Sequence, residues 1–306
     1  LPSFLQGIFT LSRYNRWLKI KAQNLRNRDI RRKRPYPANN SVAVYRKKVH
    51  NAVMNNGRTD PYTGDAIDWT LTGEWDADKA VLSRRKPESC GEFNKGLYLA
   101  PSVDHVAPGS ADLDLELCTW IVNSCKSELN PAEFIALCGK ITVYCGKKAN
   151  KSFYSDPKKY DLPPFLVGIC TFEKYEHWLD VKAENIYRRD LALKRPYALA
   201  GSKSFYKEQI HKAVLDNGQT DPYTGDALDW TLIGKWGTGT TAARLAGGRL
   251  DKKFFLLPVA DHTDPDGPIL AFEICSWLVN ECKGGQNPAE FLALCGKVTA
   301  HHAKHS

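Results

Sequence analysis

At 306 residues the chain can bury one large core or two ordinary ones, and its 42% hydrophobic and 25% charged content is that of a globular protein rather than a disordered or fibrous one. No apolar run is long enough for a bilayer, and the first residues lack the charged, apolar, small-residue order of a secretory signal, so no membrane partner and a cytoplasmic location are expected. The net charge of +9 points to a polyanionic partner, and the nine cysteines, with no C-x-x-C pair, read as reduced core residues ahead of a zinc cluster.

In chain order, a basic helix is predicted from about Ser12 to Lys33, stopping before Pro35, and a second over Ser41–Asn55, ending near Gly57. TDPYTGDAIDWT at 59–70 follows. Its DPYTGD is turn chemistry, and AIDWTL at 66–71 is expected as a short strand. GLYLAPSVDH at 96–105 is expected as a second strand, and DLDLELCTWIVNSCK at 112–126 as a helix. The last helix starts at NPAEF, with Asn130 as its cap and Pro131 in its first turn.

The chain then repeats itself. LPSFLQGIFT at 1–10 returns as LPPFLVGICT at 162–171, the dodecamer returns at 220–231 with only Ile67 changed to Leu228, and NPAEFIALCGKIT at 130–142 returns as NPAEFLALCGKVT at 287–299. A period near 160 is too long for a solenoid and predicts two domains, 1–145 and 162–306, joined by a polar linker at 146–161. The expected class is α+β, mostly helical, with two short strands and a helix in each repeat after long helices. The recurring Trp17/Trp178 and Trp120/Trp277 read as core, and Glu116 and Glu273 as a solvated face ahead of a supporting place beside a functional site.

Both copies keep an Asp-His at the end of a strand, Asp104-His105 and Asp261-His262. Both follow it with Asn-x-x-Lys, namely Asn123 with Lys126 and Asn280 with Lys283. Together with the upstream Tyr-Thr-Gly turns, this pattern resembles the HNH endonucleases of the ββα-metal group over roughly 55–142 and 216–299. The resemblance implies a ββα core in each repeat. It implies that His105 and His262 take the proton of an attacking water. Asp104 with Asn123, and Asp261 with Asn280, would ligate one divalent ion per site, Mg²⁺ by the hardness of the oxygens, with Lys126 and Lys283 in support. The middle Asn of the pattern would fall near Asp114 and Ala271, so another group must orient each base, a backbone carbonyl being the candidate.

A lopsided basic run is usually a solvated face. In a chain with this resemblance, Arg26, Arg28, Arg31, Arg32, Lys33 and Arg34 read as a phosphate-contact surface. The matching helix of the second copy carries Glu173, Glu176, Asp180, Glu184 and Asp190, so the halves are not expected to grip equally. The expectation is a DNA endonuclease, with RNA left open as substrate. Its two sites in one chain would act as a pseudo-dimer, as a monomer with an internal two-fold or a loose dimer. The alternative is a non-catalytic DNA-binding or scaffold protein derived from such a nuclease.

Overall fold

A computed structural model describes residues 1–32, 34, 41–73, 95–108, 110, 112–127, 129–145, 160–235, 252–265 and 267–304. Lys33 and nearly all of the predicted linker lie outside them. Among the described residues the chain is mostly helical, with two small antiparallel sheets.

The first copy opens with α1 (Leu11–Arg31) and α2 (Val42–Asn56). Thr10 and Ser41 cap them by accepting from Arg13 N and Val44 N. On α1 the buried positions are Tyr14, Leu18, Ala22, Leu25 and Asp29, one stripe at helical spacing. It packs on Tyr45, Val49, Ala52 and Val53 of α2 and on Val103, Leu115 and Leu117 of the sheet. That sheet pairs β1 (Pro101–His105) with β2 (Leu115–Thr119), with Asp104 opposite Glu116 and His105 opposite Leu115. Then come α3 (Trp120–Lys126) and α4 (Pro131–Cys145), and Asn130 with Glu133 forms the reciprocal cap expected of NPAE.

The second copy repeats the plan as α5 (Phe172–Ala192), α6 (Pro196–Ala200), α7 (Lys203–Asn217), β3 (Pro258–His262), β4 (Phe272–Ser276), α8 (Trp277–Lys283) and α9 (Pro288–Ala303).

Three sequence expectations fail, one of them in part: the strand expected over 96–105 is Pro101–His105 alone, preceded by a 3-10 helix at Lys95–Leu97. Residues 66–71 are not a strand: Ala66 makes only an isolated bridge to Thr59, and a 3-10 helix follows at Trp69–Gly73. The cause is local, since Asp68 Oδ1 accepts from both Thr70 N and Thr70 Oγ1, and this tightens the chain into a turn. Residues 112–126 are not one helix. Leu115 and Leu117 bury on one face of a strand, and the helix starts only after Thr119, whose hydroxyl accepts from Val122 N.

The repeated dodecamer is the clamp between turn and core. Asp60 Oδ1 accepts from Tyr62 N at 2.8 Å and Thr63 N at 3.1 Å, while Oδ2 accepts from Thr119 N at 2.6 Å, where β2 passes into α3. Trp69 Nε1 donates to Gly57 O at 2.6 Å. Asp221 and Trp230 repeat these bonds at the same atoms.

The copies pack on each other through α4 and α9, and their contacts are reciprocal. Thr142 meets its own equivalent, Thr299, at 3.3 Å. Lys297 pairs with Asp65 at 2.9 Å, and Lys140, the equivalent of Lys297, pairs with Asp226, the equivalent of Asp65. Such exchange is what a two-fold relation between copies produces. Ile121, Val122, Cys125, Phe134, Cys138 and Ile141 of the first copy share one continuous core with Val279, Cys282, Phe291, Cys295 and Val298 of the second. The cysteines at these positions are free and buried.

Candidate active site

Strand alternation sends the two key side chains to opposite faces of the sheet. Ser102 and Asp104 face α3, and Val103 and His105 face α1 and α2. On the α3 side, Lys126 Nζ donates to Asp104 Oδ2 at 2.8 Å and to His105 O at 2.8 Å, and lies 3.6 Å from Glu116 Oε1. Glu116 in turn accepts from Tyr62 OH at 2.5 Å. The dodecamer is therefore wired to the Asp-His strand through Tyr62, Glu116 and Lys126. The second copy rebuilds this with Lys283 on Asp261 at 2.6 Å and on His262 O at 3.1 Å, and with Tyr223 donating to Glu273. Glu116 and Glu273 are thus inside this network, not on a solvated face, because they lie on strands rather than on the helix.

Asn123 also faces β1, its Nδ2 donating to Ser102 Oγ at 2.5 Å and Val103 O at 3.4 Å. Val259 stands where the first copy has Ser102, so Asn280 has no such hydroxyl to meet. Asp104 and Asn123 share the α3 face, whereas His105 does not. Arg28 links the two faces: its Nη2 is 3.1 Å from His105 Nδ1 and 4.0 Å from Asp104 Oδ1.

The His105 ring is fully buried. Its Nε2 lies 3.0 Å from Asp29 Oδ2, which also accepts from Tyr45 OH at 2.7 Å. Arg34 stands 3.5 Å from the other Asp29 oxygen. In the second copy His262 Nε2 lies 2.8 Å from Asp190 Oδ2, Tyr206 OH donates to that oxygen at 2.9 Å, and Arg195 pairs with Asp190 at 2.9 Å. Arg189 Nη2 approaches His262 Nδ1 at 3.3 Å. The group on each imidazole is thus a carboxylate from the long helix, not the backbone carbonyl expected from sequence. Sequence reasoning missed Asp29 and Asp190 as partners of the imidazoles because each sits among the charges of a long helix, far in sequence from its histidine. Their place at the end of the apolar stripe, in both copies, was the available signal.

A guanidinium only donates, so Nδ1 of His105 must accept and Nε2 must carry the proton. Burial, with the charges of Arg34 and Arg28, holds His105 below its ordinary pKa of 6.5 against the upward pull of Asp29. His262 is held down in the same way by burial and its two arginines. Burial would raise the Asp29 carboxyl, but the hydrogen bonds and charges of His105, Tyr45 and Arg34 carry it lower overall.

Among the described residues, no group of three or more His, Cys, Asp or Glu side chains is placed to hold a metal. An ion on the α3 face would depend on Asp104, Asn123 and water. The donor chemistry fits a hard divalent cation, since the Oδ1 atoms of Asp104 and Asn123 accept no hydrogen bond from the described residues.

The depressed imidazoles set a pH dependence. A histidine whose folded pKa lies below 6.5 binds its proton more readily in the unfolded chain, so folding stability falls as pH drops below 6.5. Urea midpoints of the metal-free protein are expected to decrease between pH 7 and pH 5, less so in a His105→Gln, His262→Gln variant. A midpoint that rises as pH falls would contradict the neutral buried rings.

No protein-family model matches the chain, and neither a curated protein nor a solved structure does.

Proposed function

We propose that the chain is a metal-dependent endonuclease that hydrolyses phosphodiester bonds of DNA at two HNH-like ββα sites. The observation that carries this reading is the rebuilding of one constellation in both copies. An Asp-His pair ends the first strand, an Asn-x-x-Lys helix lies across the Asp, and a carboxylate holds the His. His105 and His262 act as bases towards a water that attacks phosphorus. A divalent ion on Asp104 with Asn123, or Asp261 with Asn280, would neutralise charge on the leaving oxygen. Lys126 and Lys283 keep the Asp side chains and the strand ends in place.

DNA is the fitting substrate because the long helix of the first copy carries its basic residues with one acid, Asp29, whereas that of the second copy carries five acids. Arg31 is exposed on α1, while the acids of α5 occupy their basic neighbours: Glu184 takes Arg188 and Lys203, and Glu176 and Asp180 share Lys207. Arg34 is not part of this surface, since its side chain is 5% exposed and turned onto Asp29. Replacing Arg26 and Arg31 by Ala is expected to reduce the log–log salt slope of DNA binding by roughly two units, one per lost phosphate contact. An unchanged slope would mean that the run is a solvated face only.

A second reading, a non-catalytic DNA-binding protein, is favoured by one observation: both imidazoles are buried, with Arg28 or Arg189 at their acceptor nitrogens. Supercoiled plasmid separates the two. The nuclease nicks or linearises it with Mg²⁺ or Mn²⁺ and not in EDTA. Binding without strand scission under any divalent ion selects the second reading.

A further inference from the structure

We propose that Asp29 and Asp190 are positioning residues that fix His105 and His262 with the proton on Nε2, and that Arg28 and Arg189 cap the acceptor Nδ1 until a backbone phosphate draws the guanidinium away. This deepens the nuclease reading and rests on it.

Three observations combine. First, each carboxylate is itself held on several sides. Asp29 takes Tyr45 OH and His105 Nε2 on one oxygen and faces Arg34 with the other, and Asp190 does the same with Tyr206, His262 and Arg195. A carboxylate fixed in this way selects one tautomer and one ring orientation, as the orienting acid does in a nucleophile–base–acid triad. Second, the ring atom left to act as base is Nδ1, and the group upon it is a cation: Arg28 at His105, and at His262 Arg189 at 3.3 Å together with Arg195, whose Nη1 is 3.4 Å from both ring nitrogens. Third, that cation is at the surface on its far side: the Arg28 side chain is 29% exposed and Arg189 46%, against 0% and 3% for the histidines they cover.

An arginine prefers a bidentate phosphate to a single imidazole nitrogen. An incoming phosphodiester can therefore pull the guanidinium outward. The same movement brings the phosphate to the strand end and uncovers Nδ1 for the water. Arg28 also lies near Asp104 Oδ1 at 4.0 Å, so its departure clears the approach to both faces together. A base that is covered until phosphate arrives is kept from bulk water. The charged and titratable groups facing His105 are Arg28 and Asp29 on α1, Arg34 after it, Tyr45 of α2 through Asp29, and Lys126 on its carbonyl.

The test uses the full chain in three measurements. In the metal-free wild-type protein, ring ¹⁵N NMR at pH 7.5 is expected to show both rings with the proton on Nε2. A ring protonated on Nδ1 overturns the positioning role, whether or not the protein cuts DNA. Diethyl pyrocarbonate labelling, mapped by mass spectrometry and normalised to the exposed His177, is expected to spare His105 and His262. Arg28→Gln should raise the labelling of His105 about tenfold as the acceptor nitrogen is uncovered, whereas Arg189→Gln should raise that of His262 less, since Arg195 stays 3.4 Å from its Nδ1. Wild-type labelling equal to that of His177, or no rise at His105 in the Arg28→Gln variant, overturns the cap.

In plasmid cleavage, Asp29→Asn with Asp190→Asn should lower kcat by about a hundredfold or more, with KM changed by less than about threefold. Asp29→Glu with Asp190→Glu should recover part of that loss. A loss carried by KM, or no rescue by Glu, marks a merely structural role. If the Asn variant fails to fold, the wild-type NMR result decides. If wild type does not cut with any divalent ion while its rings are protonated as expected, the nuclease reading falls instead.

Discussion

Lys126→Met is expected to cost about 3–5 kcal/mol of folding stability, the scale for removing one partner of a buried ion pair. The ammonium is fully buried and holds Asp104 Oδ2 and His105 O, each at 2.8 Å, with Glu116 at 3.6 Å. Without it, the Asp104 carboxylate stays buried with no cation among the described residues closer than Arg28 at 4.0 Å. The cost comes from that stranded charge rather than from the lost bond itself. Asp104→Asn added to Lys126→Met should therefore return a large share of the loss, a coupling that a double-mutant cycle in urea measures directly. Lys283→Met should behave alike through Asp261 at 2.6 Å. A loss under about 1 kcal/mol would place the ammonium in solvent rather than in the core.

Much of this arrangement could be read from the amino-acid sequence, and its failures have physical causes. The duplication, the cap at Asn130 and the long first helices follow from local chemistry that acts within a few residues. The strands did not follow so easily. Leu113, Leu115 and Leu117 alternate over too few residues to be told from a helix start, and Thr119 as the true cap is hidden inside the apolar run. The Asp-His pair was placed correctly at a strand end. That its two side chains point to opposite faces is a consequence of pairing with β2, which the sequence had assigned to a helix. Asp29 was the larger omission. Its partner His105 lies 76 residues away, and no local spacing announces such a bond. Only the coincidence of one acid at the same stripe position of α1 and α5 does so.

Removal of a single histidine is expected to change how many strands are cut. Under the proposed nuclease reading, one ββα core would act on one phosphodiester at a time, and cutting a duplex would take two cores facing its two strands. The second copy, held by the reciprocal α4–α9 contacts around Thr142 and Thr299, would then supply the second core within the chain. His105→Ala alone or His262→Ala alone should therefore turn linearisation of supercoiled plasmid into nicking, and the two variants should nick opposite strands. The double variant should lose about 10²–10⁴-fold in rate, the usual worth of a general base, while still binding DNA, because the buried rings make no phosphate contact in the free protein. The charge difference between α1 and α5 gives the prediction a direction. The first copy has the more basic long helix, so His105→Ala should slow cleavage more than His262→Ala. Strand-specific end labelling of a short duplex reads both effects. Linearisation at the wild-type rate by His262→Ala would leave only the first core as a cutter and end the paired-site account.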